Sequence, residues 1–188
     1  SLHAGIFLYC VHIVSAVLTA LVLRPKDMPA PAKPDDFPQT LRAAPLFVQA
    51  VLSAGCASLH VSAFVLVFSV ILSLARQTGL FSLVLSASAP LCSAFGLSDG
   101  TGVLIGLLEL TQGLAHLTPH AGTLAARLTA VSFLCAFGGV SVLFQTAAVT
   151  DGLAFRACLR GKLVHALLAA LVCAAALHVV PTSWLESL

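Results

Sequence analysis

The chain has 188 residues, 59% of them hydrophobic and only 9% charged, with a mean hydropathy of +1.05. A soluble domain carries roughly 25% charged residues, so a surface wetted on all sides is excluded and one facing the lipid bilayer is expected. A net charge of +2 without a Lys/Arg run among aromatics argues against nucleic acid as a partner.

The first apolar segment runs from Leu2 to Leu23 without a formal charge. A helix of about 20 residues covers the roughly 30 Å hydrocarbon core. Ser1 opens directly into this segment with no basic leader or cleavage site, which argues against a signal peptide and suggests a piece of a longer polypeptide or a processed chain. Residues 24–45 hold Pro25, Pro29, Pro31, Pro34, Pro38 and Pro45 together with seven charged residues. Proline removes backbone donors and blocks continuous helix, so an aqueous loop is predicted. Leu46 to Ala75 forms a second uncharged segment, interrupted by Arg76-Gln77-Thr78-Gly79.

The third segment, Leu80 to Leu97, is short and Ser-rich with Pro90 inside, and Asp99-Gly100-Thr101-Gly102 signals a turn. The fourth, Val103 to Leu117, contains Glu109 and Gln112 and is short for a full crossing. Full crossings, or segments three and four together as a re-entrant hairpin pair, remain open for residues 80–118. Thr118 to Gly122 breaks the chain again. The fifth segment, Leu124 to Thr150, is interrupted by Gly138-Gly139 and closed by Asp151-Gly152, a turn signal. After Arg156, Arg160 and Lys162, the sixth runs from Leu163 to Val180 and stops at Pro181.

None of these segments alternates apolar and polar residues as barrel strands do. Helix is the other way to satisfy backbone groups in lipid. The fold class is therefore all-α, a polytopic transmembrane protein with short, Gly-interrupted or re-entrant helices. Residues 24–45 and 151–162 fall on one side of the membrane with Arg24, Lys26, Lys33, Arg42, Arg156, Arg160 and Lys162, against Arg76 and Arg127 opposite. Seven positive charges against two make the first set of loops cytoplasmic, in a multi-pass protein of the cell membrane.

Val11-His12 and the small residues after it are matched by Val164-His165 and its followers, and each helix ends near a proline, Pro25 or Pro181. Residues 1–23 then read as the terminal helix of a preceding repeat and 46–181 as the next repeat. Transporters are often built from two inverted halves with the substrate between them. On this reading most of one half is missing from these residues, and pairing of two copies into a homo-oligomer is the alternative.

Two stretches carry the chemistry. In Gly106-Leu-Leu-Glu-Leu-Thr-Gln-Gly113, Glu109 is the one carboxylate inside an apolar segment. A charge there costs at least about 2.5 kcal/mol, so it faces a cavity or a partner. Thr111, Gln112 and Gly113 follow with a hydroxyl, an amide and a backbone open to close approach. A structural pairing of Glu109 with Arg127 or a histidine is the competing reading. In Phe137-Gly138-Gly139-Val140-Ser141, the paired glycines favour a helix break that points half-helix ends at a ligand, and Ser141 and Gln145 share one face. Close packing through small residues competes with that. The substrate- or ion-binding set is thus Glu109, Thr111, Gln112, Gly113, Gly138, Gly139, Ser141 and Gln145.

Six scattered cysteines without CxxC spacing read as small buried hydrophobes. Of seven histidines only His116 and His120 are four apart, and Pro119 disrupts their shared face, so no metal site is expected. No nucleophile–base set occurs either, so an enzyme is not expected.

The order Phe68-Ser69-Val70-Ile71-Leu72, Gly106 to Gly113, Ser132 to Gln145, a basic stretch and Val164-His165 resembles the C-terminal half of the sporulation integral membrane proteins of the YlbJ/SpoVV type. These belong to the nucleoside-recognition, or Gate, superfamily. The resemblance covers residues 45–180 and implies a two-repeat transporter fold related to concentrative nucleoside transporters. It implies dipicolinate, a small aromatic dicarboxylate, as cargo. The chain departs from the family in having Val142-Leu143-Phe144-Gln145 where a His-Ala-Gln stretch is frequent.

The resulting expectation is a carrier for a small organic anion, with nucleoside as the alternative cargo and a non-transporting membrane scaffold as the rival class. No cofactor is expected beyond a coupling proton or Na+. An anion site beside a charged Glu109 would be self-defeating, so Glu109 would be protonated or paired with the coupling cation.

Overall fold

The computed structural model describes residues 1–24, 43–117, 121–149 and 155–186. Most of the 24–45 loop, the break at 118–120 with His120, and Asp151-Gly152 lie outside the described residues. The described chain is all-helical, in the order α1 (Leu2–Val22), α2 (Ala43–Gln77), α3 (Leu80–Ala94), α4 (Thr101–Leu108), α5 (Leu110–His116), α6 (Leu124–Phe137), α7 (Gly139–Val149), α8 (Phe155–Ala176) and α9 (Thr182–Glu186). Four helical stretches are long and apolar enough to cross a membrane: α1, α2 from Leu46, α6 with α7 to Ala148, and α8.

Serine hydroxyls in α2 turn back onto their own helix: Ser58, Ser62 and Ser69 donate to the carbonyls of Ala54, Ser58 and Val65, at 2.6–2.9 Å. A polar side chain satisfied in this way carries no open donor into an apolar medium. Among the described side chains of α2, from Leu46 on, Phe68 and Leu72 are the buried ones, which leaves apolar side chains such as Leu59 and Leu66 exposed around the helix. In α1 the buried positions are Phe7, Val11 and Ser15, one stripe spaced four apart, while Tyr9, Val17 and Leu21 face outward.

Helices α1 and α8 run antiparallel. The His3 and Trp184 rings lie 4.4 Å apart at one end, Ser15 meets His165 midway, and Leu23 lies against Gly161 at the other end. Phe7, Val11, Leu128, Cys173 and Leu185 form one core cluster, which places the start of α6 beside the start of α1. A second cluster joins Ala136, Phe137 and Leu143 to Ala166 and Ala169 of α8. Small side chains at the last two let α8 approach α6 closely, a packing that does not need bulky knobs.

Residues 101–117 fold as an antiparallel helical hairpin. A Cβ on Gly102 would meet Leu117, and one on Gly113 would meet Gly106, so α4 and α5 lie side by side with the turn at Glu109-Leu110. Both feet are at the same end of the bundle. His116 reaches Arg76 near the end of α2 (3.3 Å), and an isolated bridge pairs Leu97 with Gly122 just before α6. Helix α3 begins three residues after α2 ends, and Leu97, just past its C-terminus, is bridged to Gly122 near the foot of the hairpin. The reversal thus lies inside the fourth segment, at Glu109-Leu110, and not between the third and fourth segments as expected for a re-entrant pair.

A second difference concerns the basic stretch after residue 151. Arg156, Arg160 and Lys162 are not in a loop but on the first turns of α8, which begins at Phe155. Arg and Lys are good helix formers, and their long stems lie along apolar surface while the charged head seeks a polar group. Helix α8 also ends at Ala176, four residues before the expected stop at Val180.

Candidate functional site

Two interrupted helical elements meet at their interruptions. One is the turn of the α4–α5 hairpin; the other is the junction of α6 and α7. Gly138 and Gly139 both have left-handed backbone, φ +81° and +78°, a conformation that costs a residue with a Cβ roughly 1–2 kcal/mol. The chain therefore reverses its helical course for two residues and resumes it in a new direction. A Cβ on Gly139 would lie 2.9 Å from the Gly106 carbonyl oxygen, 3.3 Å from that of Leu108 and 3.4 Å from the Leu110 nitrogen. The junction thus presses directly on the hairpin tip, and four half-helix ends converge: the C-termini of α4 and α6 and the N-termini of α5 and α7. Each such end leaves backbone donors or acceptors without partners inside its own helix.

Glu109 sits at the tip, 2% exposed. It ends α4 and caps α5. Its Oε1 accepts from the Thr111 backbone N–H (3.2 Å), and its Oε2 accepts from the Gln112 N–H (2.8 Å) and the Thr111 hydroxyl (2.7 Å). Both carboxyl oxygens are thereby engaged within the hairpin, and a negative group faces the positive end of a helix. The other residues of the hairpin also hold its shape. The Gln112 amide donates to the Ser69 hydroxyl on α2. Gly113 lets the two arms touch: a Cβ there would fall 2.1 Å from the Gly106 Cα.

Of the residues expected at the site, Glu109, Gly138 and Gly139 come together. Thr111 serves Glu109, Gln112 serves α2, and Gly113 serves the hairpin interface. Ser141, in the first turn of α7, is 1% exposed, and its hydroxyl has no hydrogen-bond partner. Gln145, one turn further along α7, is half-buried.

Three participants escape the sequence reading. Gly106 and Ser69 lay within the stretches quoted above, but their pairing with Gly113 and Gln112 depends on the hairpin. Lys162 was assigned to a loop; its ammonium instead stands 3.0 Å from the place a Cβ on Gly138 would occupy. Its signal was there in outline: Lys162 is three residues before His165, so a helix starting earlier puts both on one face.

At the foot of the hairpin, Asp99 accepts from the Thr101 backbone N–H at 2.8 Å. Hydrogen bonds from the Thr101 side chain and backbone hold its carboxyl below the usual value of 3.8. Slight burial works against them, and His116 adds a weaker attraction. His116 Nδ1 is 2.8 Å from the Gln112 carbonyl oxygen. All six cysteines are free, with Cys10 and Cys56 exposed and Cys173 buried. Among the described residues no three His, Cys, Asp or Glu side chains gather as metal ligands would.

No family model, curated protein or solved structure matches this chain.

Proposed function

We propose that the chain is a membrane-embedded carrier for a small organic anion, bound where the hairpin tip meets the Gly138-Gly139 junction. The observation that carries this reading is the convergence of four half-helix ends inside a bundle of apolar helices. A buried interruption of helix is costly in hydrocarbon and is tolerated where it is packed in protein or lines a cavity. Transporters use such interruptions to bind substrate, with helix N-termini directed at anionic groups and freed carbonyls directed at a cation.

In this reading Glu109 holds the tip in shape, while the first turn of α7 and Ser141 face the cargo. Carbonyls at the ends of α4 and α6 offer a place for a coupling Na+, and Glu109 is the group that would carry a coupling proton. Loops 24–45 and 151–154 are cytoplasmic, with the basic first turns of α8 beside them. Helices α1 and α8 are equivalent members of two inverted repeats. The antiparallel packing of α1 on α8, with His12 and His165 rings 5.2 Å apart, supports that equivalence, because the two matched Val-His pairs meet each other.

The test is flux into proteoliposomes holding the purified chain, with labelled pyridine-2,6-dicarboxylate and labelled uridine supplied in parallel under imposed proton or Na+ gradients. Gradient-dependent uptake of the dicarboxylate supports the anion carrier. Uptake of uridine alone moves the cargo to nucleosides. No flux of either from correctly folded protein favours the scaffold.

A further inference from the structure

We propose that Lys162 is the counter-charge of a carboxylate subsite at the Gly138-Gly139 junction, shared with Ser141 and the N-terminus of α7, and that it selects cargo by a single negative charge. The inference rests on the carrier reading and names the group that would give it charge selectivity.

Lys162 lies in the third turn of α8, half-buried, and its Nζ comes to 3.0 Å from the position of a Cβ on Gly138. Glycine at 138 is favoured by its φ of +81°, and its missing Cβ leaves the space beside which the ammonium lies. Among the described residues Lys162 forms no hydrogen bond or ion pair. The nearby carboxylate, Glu109, is turned into its own hairpin and held by two N–H groups and a hydroxyl, so it is not spent on Lys162. An ammonium within a bundle of apolar helices ordinarily pairs with an acidic group or a carbonyl.

Ser141 supplies the second, independent observation. Its residue is 1% exposed and its hydroxyl is unmet. Buried hydroxyls nearly always have partners. Side chains in a helix tilt toward its N-terminus, which leans Ser141 toward the junction. The first turn of an eleven-residue helix adds N–H donors that its own carbonyls cannot satisfy. Ammonium, hydroxyl and backbone N–H can each donate a hydrogen bond to a ligand at the junction. A carboxylate, which only accepts, matches these donors. One ammonium offsets one negative charge, so the subsite fits a monocarboxylate end of a cargo rather than a neutral sugar or amide.

A structural alternative exists in the same geometry. Lys162 also stands at the C-terminal end of α6, where a cation is favourable to the helix dipole. That role would affect stability but not the choice between a carboxylate and its neutral isostere.

The experiment measures binding of pyridine-2-carboxylate, pyridine-2-carboxamide and uridine to the purified full chain in detergent, by ligand-induced thermal shift and by titration calorimetry. Wild type is compared with Lys162→Arg, Lys162→Met and Ser141→Ala. Wild type is expected to prefer the carboxylate over the carboxamide. Lys162→Met should lower that preference by about tenfold or more, the scale of one charged hydrogen bond. Lys162→Arg should retain most of it, and Ser141→Ala should weaken the carboxylate. An unchanged preference in a folded Lys162→Met protein overturns the assignment. Should that variant fail to fold, wild type still decides: equal binding of carboxylate and carboxamide overturns charge selection while the carrier reading stands. Binding of none of the three ligands removes the carrier reading and this subsite with it.

Discussion

Replacement of Gly113 by alanine tests the hairpin itself. The added Cβ would lie 2.1 Å from the Gly106 Cα, 2.3 Å from the Gly106 nitrogen and 2.8 Å from the Gly102 carbonyl oxygen. All three are backbone atoms, so no rotamer change relieves the contact. Restoring an ordinary carbon–carbon separation of about 3.5 Å means parting the arms by about 1.4 Å. Overpacking that backbone must absorb costs about 1–3 kcal/mol, and here it also lifts the tip away from the Gly139 junction. The effect stands out because the helix propensity of alanine works the other way, by roughly 0.5–1 kcal/mol. Gly55→Ala on α2, where nothing lies within 4 Å of the new Cβ, supplies the control. Thermal unfolding in detergent, followed by labelling of the free cysteines, should show Gly113→Ala melting well below wild type and Gly55→Ala at or above it. A Gly113→Ala protein that melts with wild type would refute the close packing of α4 on α5.

Glu109→Gln gives one of the two carboxyl oxygens that cap α5 to an amide N–H2. A loss of about 1–2 kcal/mol is expected, read as a lower melting midpoint; an unchanged midpoint would mean that the carboxylate is not the cap. Ser15→Ala leaves His165 Nε2 without the hydroxyl 3.1 Å away and should cost about 1 kcal/mol in the same assay, whereas Thr78→Ala, an exposed hydroxyl bonded only to its own helix end, should cost less. Asp99, with its carboxyl held below 3.8, contributes stability that is present above the unfolded value. That contribution is lost as pH falls from 3.8 through the lower folded value. Asp99→Asn should flatten that limb of a melting-against-pH curve and leave the curve above pH 5 parallel to wild type. An acid limb unchanged by the substitution would exclude Asp99 as its source.

The interruption between α6 and α7 was legible as one of two readings of Gly138-Gly139, the other being close helix packing; the left-handed backbone at both residues decides for the break. The α4–α5 hairpin was not legible: the sequence suggested full crossings or a hairpin between the third and fourth segments, not a reversal inside the fourth. Val103 to Leu117 is short, but length and apolarity are the same whether a segment stops partway or turns back. What decides is a pairing across the turn, Gly102 with Leu117 and Gly106 with Gly113, and such pairings belong to no single helical period. Glu109 illustrates the same limit. Its sequence neighbours Thr111 and Gln112 announced a polar cluster, yet the cluster proves to be a cap, with the hydrogen bonds closing inside the hairpin.

Lys162 shows the converse. Three basic residues after a turn signal read naturally as a loop, since charges are expensive within an apolar helix. Once the helix begins at Phe155, the same three residues acquire different depths: Arg156 lies at its start, Arg160 one turn in, and Lys162 deeper, at the α6–α7 junction. A lysine can occupy that position because its stem packs along apolar surface, and Gly138, with no Cβ, leaves space for its head beside Val142. A straight α6–α7 helix would satisfy its own backbone; the break instead frees carbonyls at the end of α6, where a cation is favourable to the helix dipole.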